Sequence, residues 1–347
     1  MKTIKDDSFY RSMHDYLKIY MPKQRKLSKN TVKSYKGALN QFLDFLTDVQ
    51  RIPEIKITLE DLNRENVTAY LDWLQEVRNC SSTTRNQRLM ALRSFAKYCS
   101  ITDVANIYLQ LEVNKVPIQN VPGKIVDFLS DDAMQTLLSV PDIKSHFGLR
   151  NGFFMLLMYD SAARCQEMLD IRLEDFVIDE KKSSYVYLHG KGDKSRPVPL
   201  MDKTVAHFKR YMHYYHPEET RHPQDNLFYT VIKGHRDAMS PDTVAYFFAQ
   251  YAKKANKINP NCPAHVHPHQ FRHTRAIQLY RSGVPLSVLQ ELLGHEDEST
   301  TRIYAFASPE MKAENIAKAT NSNVTPDVEQ KAWKSDREMI RQLYCLD

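Results

Sequence analysis

Helical periodicity is the feature of this sequence that most limits its fold. In one early segment, apolar residues recur at alternating steps of three and four, which is the spacing of one face of an amphipathic helix. These residues are Val32, Tyr35, Leu39, Phe42 and Leu46. Ser28 or Asn30 stands where the N-cap of this helix is expected. Similar patterns at 62–77 and 89–99 indicate two more helices, so we expect residues 8–105 to form a small helical bundle.

The rest of the chain predicts a linker, a second domain and a tail. Residues 106–125 are weakly periodic and contain Pro117, Pro122 and Gly123, which favours a linker. The second domain is expected at 126–310, and residues 311–347 form a tail whose apolar stripe suggests one more helix.

The second domain is predicted to be mainly α, with a small antiparallel β-hairpin sheet. Ser130 begins a helix, and the apolar run at 153–159 indicates a buried one. Alternating residues at 185–188 and the stretch 196–200 read as two strands around a Gly-rich turn. After residue 201 nearly everything is expected to be helical, apart from a loop at 259–268.

Charge is unevenly distributed along the 347 residues. The first hundred hold 18 Lys and Arg against 11 Asp and Glu, a net of +7, while the whole chain carries +6. A basic module beside a neutral body is typical of polyanion binding, because each neutralised phosphate releases condensed counterions. A plain solvated helix face is the alternative. The candidate DNA-binding residues of this module are Lys26, Lys29, Lys33, Lys36, Arg85, Arg88 and Arg93.

The five cysteines are scattered and form no C-x-x-C pair, which argues against a disulfide framework or a thiolate zinc site. The N-terminus does not resemble a signal peptide, and the longest apolar run is too short for a bilayer. We therefore expect a cytoplasmic protein of bacterial type, associated with the nucleoid and without a membrane partner.

A set of polar residues in the second half carries the chemistry. In chain order these are Arg164 with Glu167, Lys191, His269 with Arg272 in an H-x-x-R motif, His295 in a Leu-Gly-His triplet, and Tyr304. Arg272 and His295 are 23 positions apart (272 to 295), and Tyr304 follows His295 by nine (295 to 304). Together these motifs resemble the signature of the tyrosine recombinases, the phage integrase family. The N-terminal bundle resembles the family's SAM-like core-binding domain.

The resemblance implies an enzyme that cuts and rejoins DNA through a 3′-phosphotyrosyl link to Tyr304, without cofactor, metal or ATP. Arg164 and Arg272 would neutralise the transition-state charge, with Glu167 orienting Arg164. Lys191 would protonate the leaving hydroxyl, although Lys194 is a rival for that role. His269 and His295 would donate hydrogen bonds to the phosphate or relay protons, and Lys194 and Arg196 are further DNA-binding candidates.

The partners implied are double-stranded DNA with specific recombination sites and, on DNA, a homotetramer formed from monomers or weak oligomers. Accessory DNA-bending or directionality proteins are possible, and the tail at 311–347 is expected to pack on a neighbouring protomer. Phage integration, transposon movement and dimer resolution all stay open.

The chain departs from the family pattern at two places and leaves three other functions to consider. Ala162-Ala163 replaces the usual Gly-Leu pair, and Arg275 stands where a bulky apolar residue is common. The alternatives are a type IB topoisomerase-like enzyme, a catalytically silent DNA-binding regulator of the same fold, and a metallohydrolase. The last would use the histidines His265, His267, His269 and His273, but no Cys or acid completes a tetrahedral site with ordinary spacing.

Overall fold

The computed structural model describes residues 7–121, 126–179, 183–190 and 194–306, together with 337, 341, 342 and 344. The chain divides into two compact units, Met1–Lys124 and Ile125–Asp347. The described residues are mainly helical with small antiparallel sheets, so the predicted fold class is confirmed. The interpretation of the tail at 311–347 falls almost wholly outside the described residues.

The N-terminal unit is a helical bundle. Its helices are α1 (Ser8–Asp15), α2 (Lys29–Asp44), α3 (Arg64–Glu76), α4 (Ser82–Thr102) and α5 (Ile107–Lys115). The π-helical segments Tyr16–Gln24 and Phe45–Val49 continue α1 and α2. Ser28, rather than Asn30, caps α2, because its hydroxyl accepts a hydrogen bond from the Thr31 backbone N–H at 3.2 Å.

Helix α5 lies inside the range predicted as a linker, so that prediction is wrong for 107–115. Leu109 and Val113 of α5 are fully buried in the core of the N-terminal unit, and Val116 follows them into it. A nine-residue helix with two buried positions is too short to show a clear period in sequence. The same core contains many aromatic side chains, such as Tyr70, which packs edge-on to Phe42 with ring centroids 5.3 Å apart.

The C-terminal unit is built from further helices. These are α6 (Asp131–Ser139), α7 (His146–Ser161), α8 (Cys165–Asp170), α9 (Asp202–Tyr215), α10 (Pro241–Ile258), α11 (Pro268–Arg281), α12 (Leu286–Leu293) and α13 (Ser299–Phe306). Helix α6 begins at the expected cap, Ser130. Helix α7 is buried over most of its length, as the apolar run at 153–159 predicts.

A three-stranded antiparallel sheet accompanies these helices in the order β1 (Phe176–Val177), β2 (Tyr185–His189) and β3 (Ser195–Pro199). The predicted hairpin of β2 and β3 is confirmed, with Tyr185 opposite Pro199 and His189 opposite Ser195. Val186 and Leu188 alternate with exposed neighbours and are buried, which places this sheet against the core of the unit.

A second hairpin consists of β4 (Tyr229–Ile232) and β5 (His235–Ala238). The sequence predicts helix in this region, so that prediction is wrong here. All four residues of β5 are exposed, so the strand has no alternating apolar pattern. Lys233 and Gly234 make the turn with φ of 50° and 82°, a conformation that suits tight hairpins. None of the described helices combines the length and apolar character that a membrane span requires.

Candidate active site

The ends of several helices meet at one place in the C-terminal unit. Arg164 lies at the start of α8, Arg272 in the first half of α11, and Tyr304 on α13. His295 follows Gly294, which ends α12 in the left-handed conformation at φ 60°. A glycine suits this position, because it adopts the left-handed conformation that ends a helix without the strain that a side chain brings.

Arg164 is held in place by hydrogen bonds from its backbone and from its guanidinium. Its backbone N–H and its Nη1 donate to the two Glu167 carboxylate oxygens at 2.8 and 2.7 Å. Its Nη2 donates to the Gly294 backbone carbonyl at 2.9 Å. The side chain is 35% exposed, so the guanidinium reaches the surface from a fixed base. The expectation that Glu167 orients Arg164 agrees with these contacts.

Arg196 shares the same carboxylate, which corrects its assignment as a DNA-binding candidate. Its Nη1 and Nη2 donate to Glu167 at 3.0 and 2.8 Å, and its Nε donates to the Leu292 carbonyl at 2.7 Å. Only 11% of its side chain is exposed, and its guanidinium N–H groups donate to partners inside the protein. Burial alone would raise the pKa of Glu167, but the hydrogen bonds from Arg196 and Arg164, together with the charge of Arg196, outweigh burial and lower that pKa.

Arg272 is almost completely buried, at 2% exposure, and ties two helix ends together. Its Nη1 donates to the Ala162 carbonyl at 2.9 Å and its Nη2 to the Leu293 carbonyl at 2.6 Å. Burial, followed by the positive charge of Arg164, lowers the pKa of Arg272 to about 10. Two guanidiniums are thereby concentrated in one site, as the sequence predicts for Arg164 and Arg272.

Tyr304 lies in this site within its own chain and is fully buried. Its hydroxyl is 3.0 Å from Nδ1 of His273, and its ring lies nearly parallel to that of His295 at a centroid distance of 6.4 Å. Burial raises the pKa of the phenol, while the charges of Arg272 and Arg164 oppose that rise.

The histidines around Tyr304 are kept neutral by their surroundings. Burial and the charges of Arg272 and Arg164 lower the pKa of His295 to about 4, and its Nδ1 lies 2.9 Å from the Thr301 hydroxyl. Loss of hydration and the same arginines lower the pKa of His269, whose ring stays accessible to solvent. Neutral imidazoles can each donate one hydrogen bond and accept another.

The sequence pattern predicts no role for His273 in strand cleavage and includes it only in a possible metal cluster. The available signal was the four-residue spacing from His269, which places both rings on one face of α11. Their ring centroids are 5.7 Å apart. Among the described residues, no group of three or more His, Cys, Asp or Glu is arranged to hold a metal ion.

The structure describes only one of the two lysines that were candidates for the general acid. Lys191 lies outside the described residues. Lys194 is exposed and its ammonium is 3.3 Å from the Glu296 carboxylate.

The basic candidates of the N-terminal unit also separate into two groups. Four lysines are exposed just before α2 and along its first half: Lys26, Lys29, Lys33 and Lys36. Arg85, in contrast, is 4% exposed and donates to the Pro117 carbonyl at 3.1 Å, so its prediction as part of an exposed basic face is wrong.

The other two arginines of α4 are half-buried. Arg93 donates to the carbonyls of Val116 and Asn114 at 2.5 and 3.1 Å, so it too is engaged within the bundle. Arg88 donates from Nε to Gln41 at 3.0 Å. This face of α4 therefore connects α4 to α2 and to the end of α5. The last backbone carbonyls of a helix such as α5 have no partner within the helix, and the α4 arginines supply hydrogen-bond donors to them.

Comparison with known proteins adds the family. The model of the phage integrase family matches residues 127–311, and that of the phage integrase N-terminal SAM-like domain matches residues 15–100. A tyrosine recombinase of Pseudothermotoga lettingae is 30% identical over 86% of this chain and 95% of its own length. Tyrosine recombinase XerD of Staphylococcus epidermidis is 28% identical over 82% of this chain and 90% of its own.

Solved structures show the same fold. XerH recombinase bound to its difH substrate covers 91% of this chain and 90% of that chain, with a TM-score of 0.62 at 18% identity. The Tn1549 transposon integrase in complex with transposon end DNA covers 88% and 99%, with a TM-score of 0.64 at 16% identity. The chain therefore belongs to the phage integrase family and is a tyrosine-type site-specific recombinase. The named relatives do not favour the topoisomerase-like or catalytically silent alternatives.

Proposed function

We propose that this recombinase cuts and rejoins DNA strands at specific sites through a 3′-phosphotyrosyl link to Tyr304, without metal or ATP. One observation carries the proposal: the Tyr304 side chain and the guanidiniums of Arg164 and Arg272 belong to one site of one chain. A covalent link conserves the energy of the phosphodiester, so rejoining needs no external energy source.

The arginines would act on the charge that develops at phosphorus. A phosphodiester anion repels nucleophiles, and attack spreads further negative charge over the non-bridging oxygens. Arg164 and Arg272 would stabilise that charge by hydrogen bonds from fixed positions, which avoids reorganisation during the reaction. Glu167 and Arg196 would hold Arg164 in place. Their mutual contacts at 2.7–3.0 Å support this positioning role.

Proton transfers would complete the reaction. Lys191 would give its proton to the departing 5′ oxygen, with Lys194 as the rival donor. His295, with Nδ1 accepting from Thr301, would present Nε2–H to a phosphate oxygen, and His269 would donate from the cleft. The low pKa of His295 supports a neutral donor of this kind.

The partner would be duplex DNA carrying specific sites, gripped in part by Lys26, Lys29, Lys33 and Lys36. Because one protomer cuts one strand, exchange between two duplexes needs four, so we propose a homotetramer on DNA and a monomer or weak oligomer when free. A fold relative, lambda integrase, is known as a tetramer bound to a Holliday junction. The tail at 311–347 would pack on a neighbouring protomer, accessory DNA-bending or directionality proteins would assist, and the enzyme would work at the nucleoid in a bacterial-type cytoplasm.

The test is trapping of the covalent intermediate on a nicked suicide duplex. That duplex carries the site found at the borders of the DNA element that encodes the protein. The wild type should form a protein–DNA adduct, in EDTA as well as in buffer, and Tyr304→Phe should form none. Arg272→Ala should slow cleavage by about 100- to 1000-fold, the cost of losing one oxyanion donor.

The matched control is Tyr214→Phe, which removes the hydroxyl of an exposed tyrosine on α9 and should leave adduct formation unchanged. An adduct that persists in Tyr304→Phe would show that another residue is the nucleophile.

A further inference from the structure

We propose that His273 is the general base of strand cleavage: its Nδ1 takes the phenolic proton of Tyr304 as the tyrosine oxygen bonds to phosphorus. This inference rests on the proposed function and adds a residue to it. In the set predicted from the sequence, His269 and His295 donate hydrogen bonds to the phosphate or relay protons, and neither is named as the acceptor of the nucleophile's proton.

Geometry is the main support. Nδ1 of His273 lies 3.0 Å from the Tyr304 hydroxyl oxygen, within the reach that proton transfer requires. The two rings are 5.7 Å apart with an interplanar angle of 53°, so the hydroxyl points at the ring nitrogen rather than stacking on the imidazole. Both residues stand on helices, α11 and α13, which hold the pair more firmly than loops would.

Before reaction, the two residues have the protonation states that a base and its proton donor require. Burial and the charges of His269 and Arg272 lower the pKa of His273 to about 4, so its imidazole is neutral near pH 7 and can accept a proton. Tyr304, whose pKa burial raises, keeps its proton until reaction begins. As the phenol oxygen bonds to phosphorus, its proton becomes strongly acidic, and a neutral imidazole is then a sufficient base.

The charged and titratable groups that face His273 come from several elements. They are His269 and Arg272 on α11, Tyr304 on α13, His295 in the segment before α13, and Asp127 in the segment before α6. Asp127 raises the pKa of His273, so it stabilises the imidazolium that forms. The arginine opposes that ion, which favours return of the proton when the strand is rejoined.

His269 is the competing candidate for base, and its contacts point elsewhere. Its ring stacks on His273 at a centroid distance of 5.7 Å, and it is the Nδ1 of His273 that lies 3.0 Å from the Tyr304 hydroxyl. His269 is also the more exposed of the two rings. These contacts favour His273 as the acceptor of the phenolic proton and place His269 where it can contact the phosphate.

The step balances in both directions. In cleavage, the Tyr304 oxygen–phosphorus bond forms, the phosphorus–5′ oxygen bond breaks, the phenolic proton goes to His273, and the 5′ oxygen takes a proton from the general acid. In rejoining, the 5′ hydroxyl attacks phosphorus and returns its proton to that acid. The tyrosine oxygen then leaves and recovers its proton from the His273 imidazolium.

The test isolates the base from the acid. The suicide duplex described above is made with sulfur in place of the bridging 5′ oxygen, because a thiolate leaves without protonation. Single-turnover cleavage is then measured from pH 5.5 to 9. His273→Ala removes the base. His273→Asn keeps an acceptor oxygen near the position of Nδ1 but cannot take a proton, so it separates catalysis from positioning.

For the wild type we expect a nearly pH-independent rate above pH 6. Both His273 variants should be about 100-fold slower at pH 7, within the range for general bases, with a rate that rises about tenfold per pH unit as phenolate forms. His265→Ala, an exposed histidine in the loop before α11, is the matched control and should follow the wild type. Thermal unfolding and DNA binding of the Asn variant should match the wild type.

Four results would overturn the inference. His273→Ala could cleave as fast as the wild type or faster, which would make the contact a resting-state hydrogen bond. His273→Asn could restore the wild-type rate and pH profile, which would reduce His273 to a positioning residue. If the wild type itself forms no adduct, the proposed function fails and the base assignment with it. An adduct with unaltered pH dependence in the variants refutes the base alone.

Discussion

At the scale of single residues, Gly294 shows how backbone and catalytic site depend on each other. Its φ of 60° ends α12 and turns the chain towards His295. Its carbonyl accepts a hydrogen bond from Arg164, and a Cβ added here would lie 2.9 Å from Nη1 of Arg196. The position therefore requires a left-handed residue without a side chain.

Gly294→Ala should lower the free energy of unfolding by at least about 1 kcal/mol, from left-handed strain alone, with crowding of Arg196 adding to it. Urea unfolding measures the change. Gly37→Ala is the matched control, because Gly37 lies mid-helix in α2 with nothing within 4 Å of an added Cβ. The control should gain up to about 1 kcal/mol from helix propensity. Equal stability of the two variants would contradict this reading.

The departure from the family pattern at Arg275 also has a local explanation. Its guanidinium lies 3.4 Å from the buried Asp160 carboxylate and 5.3 Å from the centre of the Tyr159 ring. Asp160 in turn accepts the Met201 backbone N–H at 3.0 Å. A polar residue replaces an apolar one here because α7 supplies a buried acid that needs a partner.

At the scale of elements, helices α2 and α4 both carry basic side chains but use them differently. The lysines of α2 are exposed, and Ser28 fixes the helix start beside them. The arginines of α4 are turned into the bundle, where Arg85 and Arg93 bind backbone carbonyls near α5. We therefore propose that, of these two helices, α2 is the one that exchanges counterions with a phosphate backbone.

Replacing Lys29, Lys33 and Lys36 by Gln should weaken DNA binding at all sequences alike. The slope of log affinity against log salt should fall by about 0.9 for each phosphate that the variant no longer neutralises. Fluorescence anisotropy across a salt series measures it. Lys115→Gln is the control, because Lys115 sits on α5 in an ion pair with Glu112 and should leave the slope unchanged. A triple variant with the wild-type slope would place the DNA elsewhere.

At the scale of the whole molecule, the active site makes stability depend on pH. The folded-state pKa values of His273 and His295 are about 4, below the ordinary histidine value of 6.5. Between these values the unfolded chain binds protons that the folded chain does not bind. The free energy of unfolding should therefore fall as the pH falls from about 6.5 towards 4. Glu167, whose pKa is lowered, loses its own contribution at still lower pH.

Denaturant unfolding at a series of pH values between 7 and 4 tests this prediction. The wild type should lose stability steadily over that window. The double variant His273→Gln, His295→Gln should show a shallower dependence, because two neutral-only side chains replace the two imidazoles. A wild-type curve that is flat or rises towards pH 4 would show that these rings are protonated in the folded protein.

The sequence alone determined the helical class, the β2–β3 hairpin and the order of the motif residues, because periodicity and turn chemistry are local properties. Tertiary structure decided which charges face water: Arg85 and Arg196 look like surface residues in sequence, yet distant carbonyls and Glu167 hold them inside. It also decided that His273, rather than His269, meets Tyr304. Such pairings join residues far apart in the chain, and local pattern contains no information about which segments fold against each other.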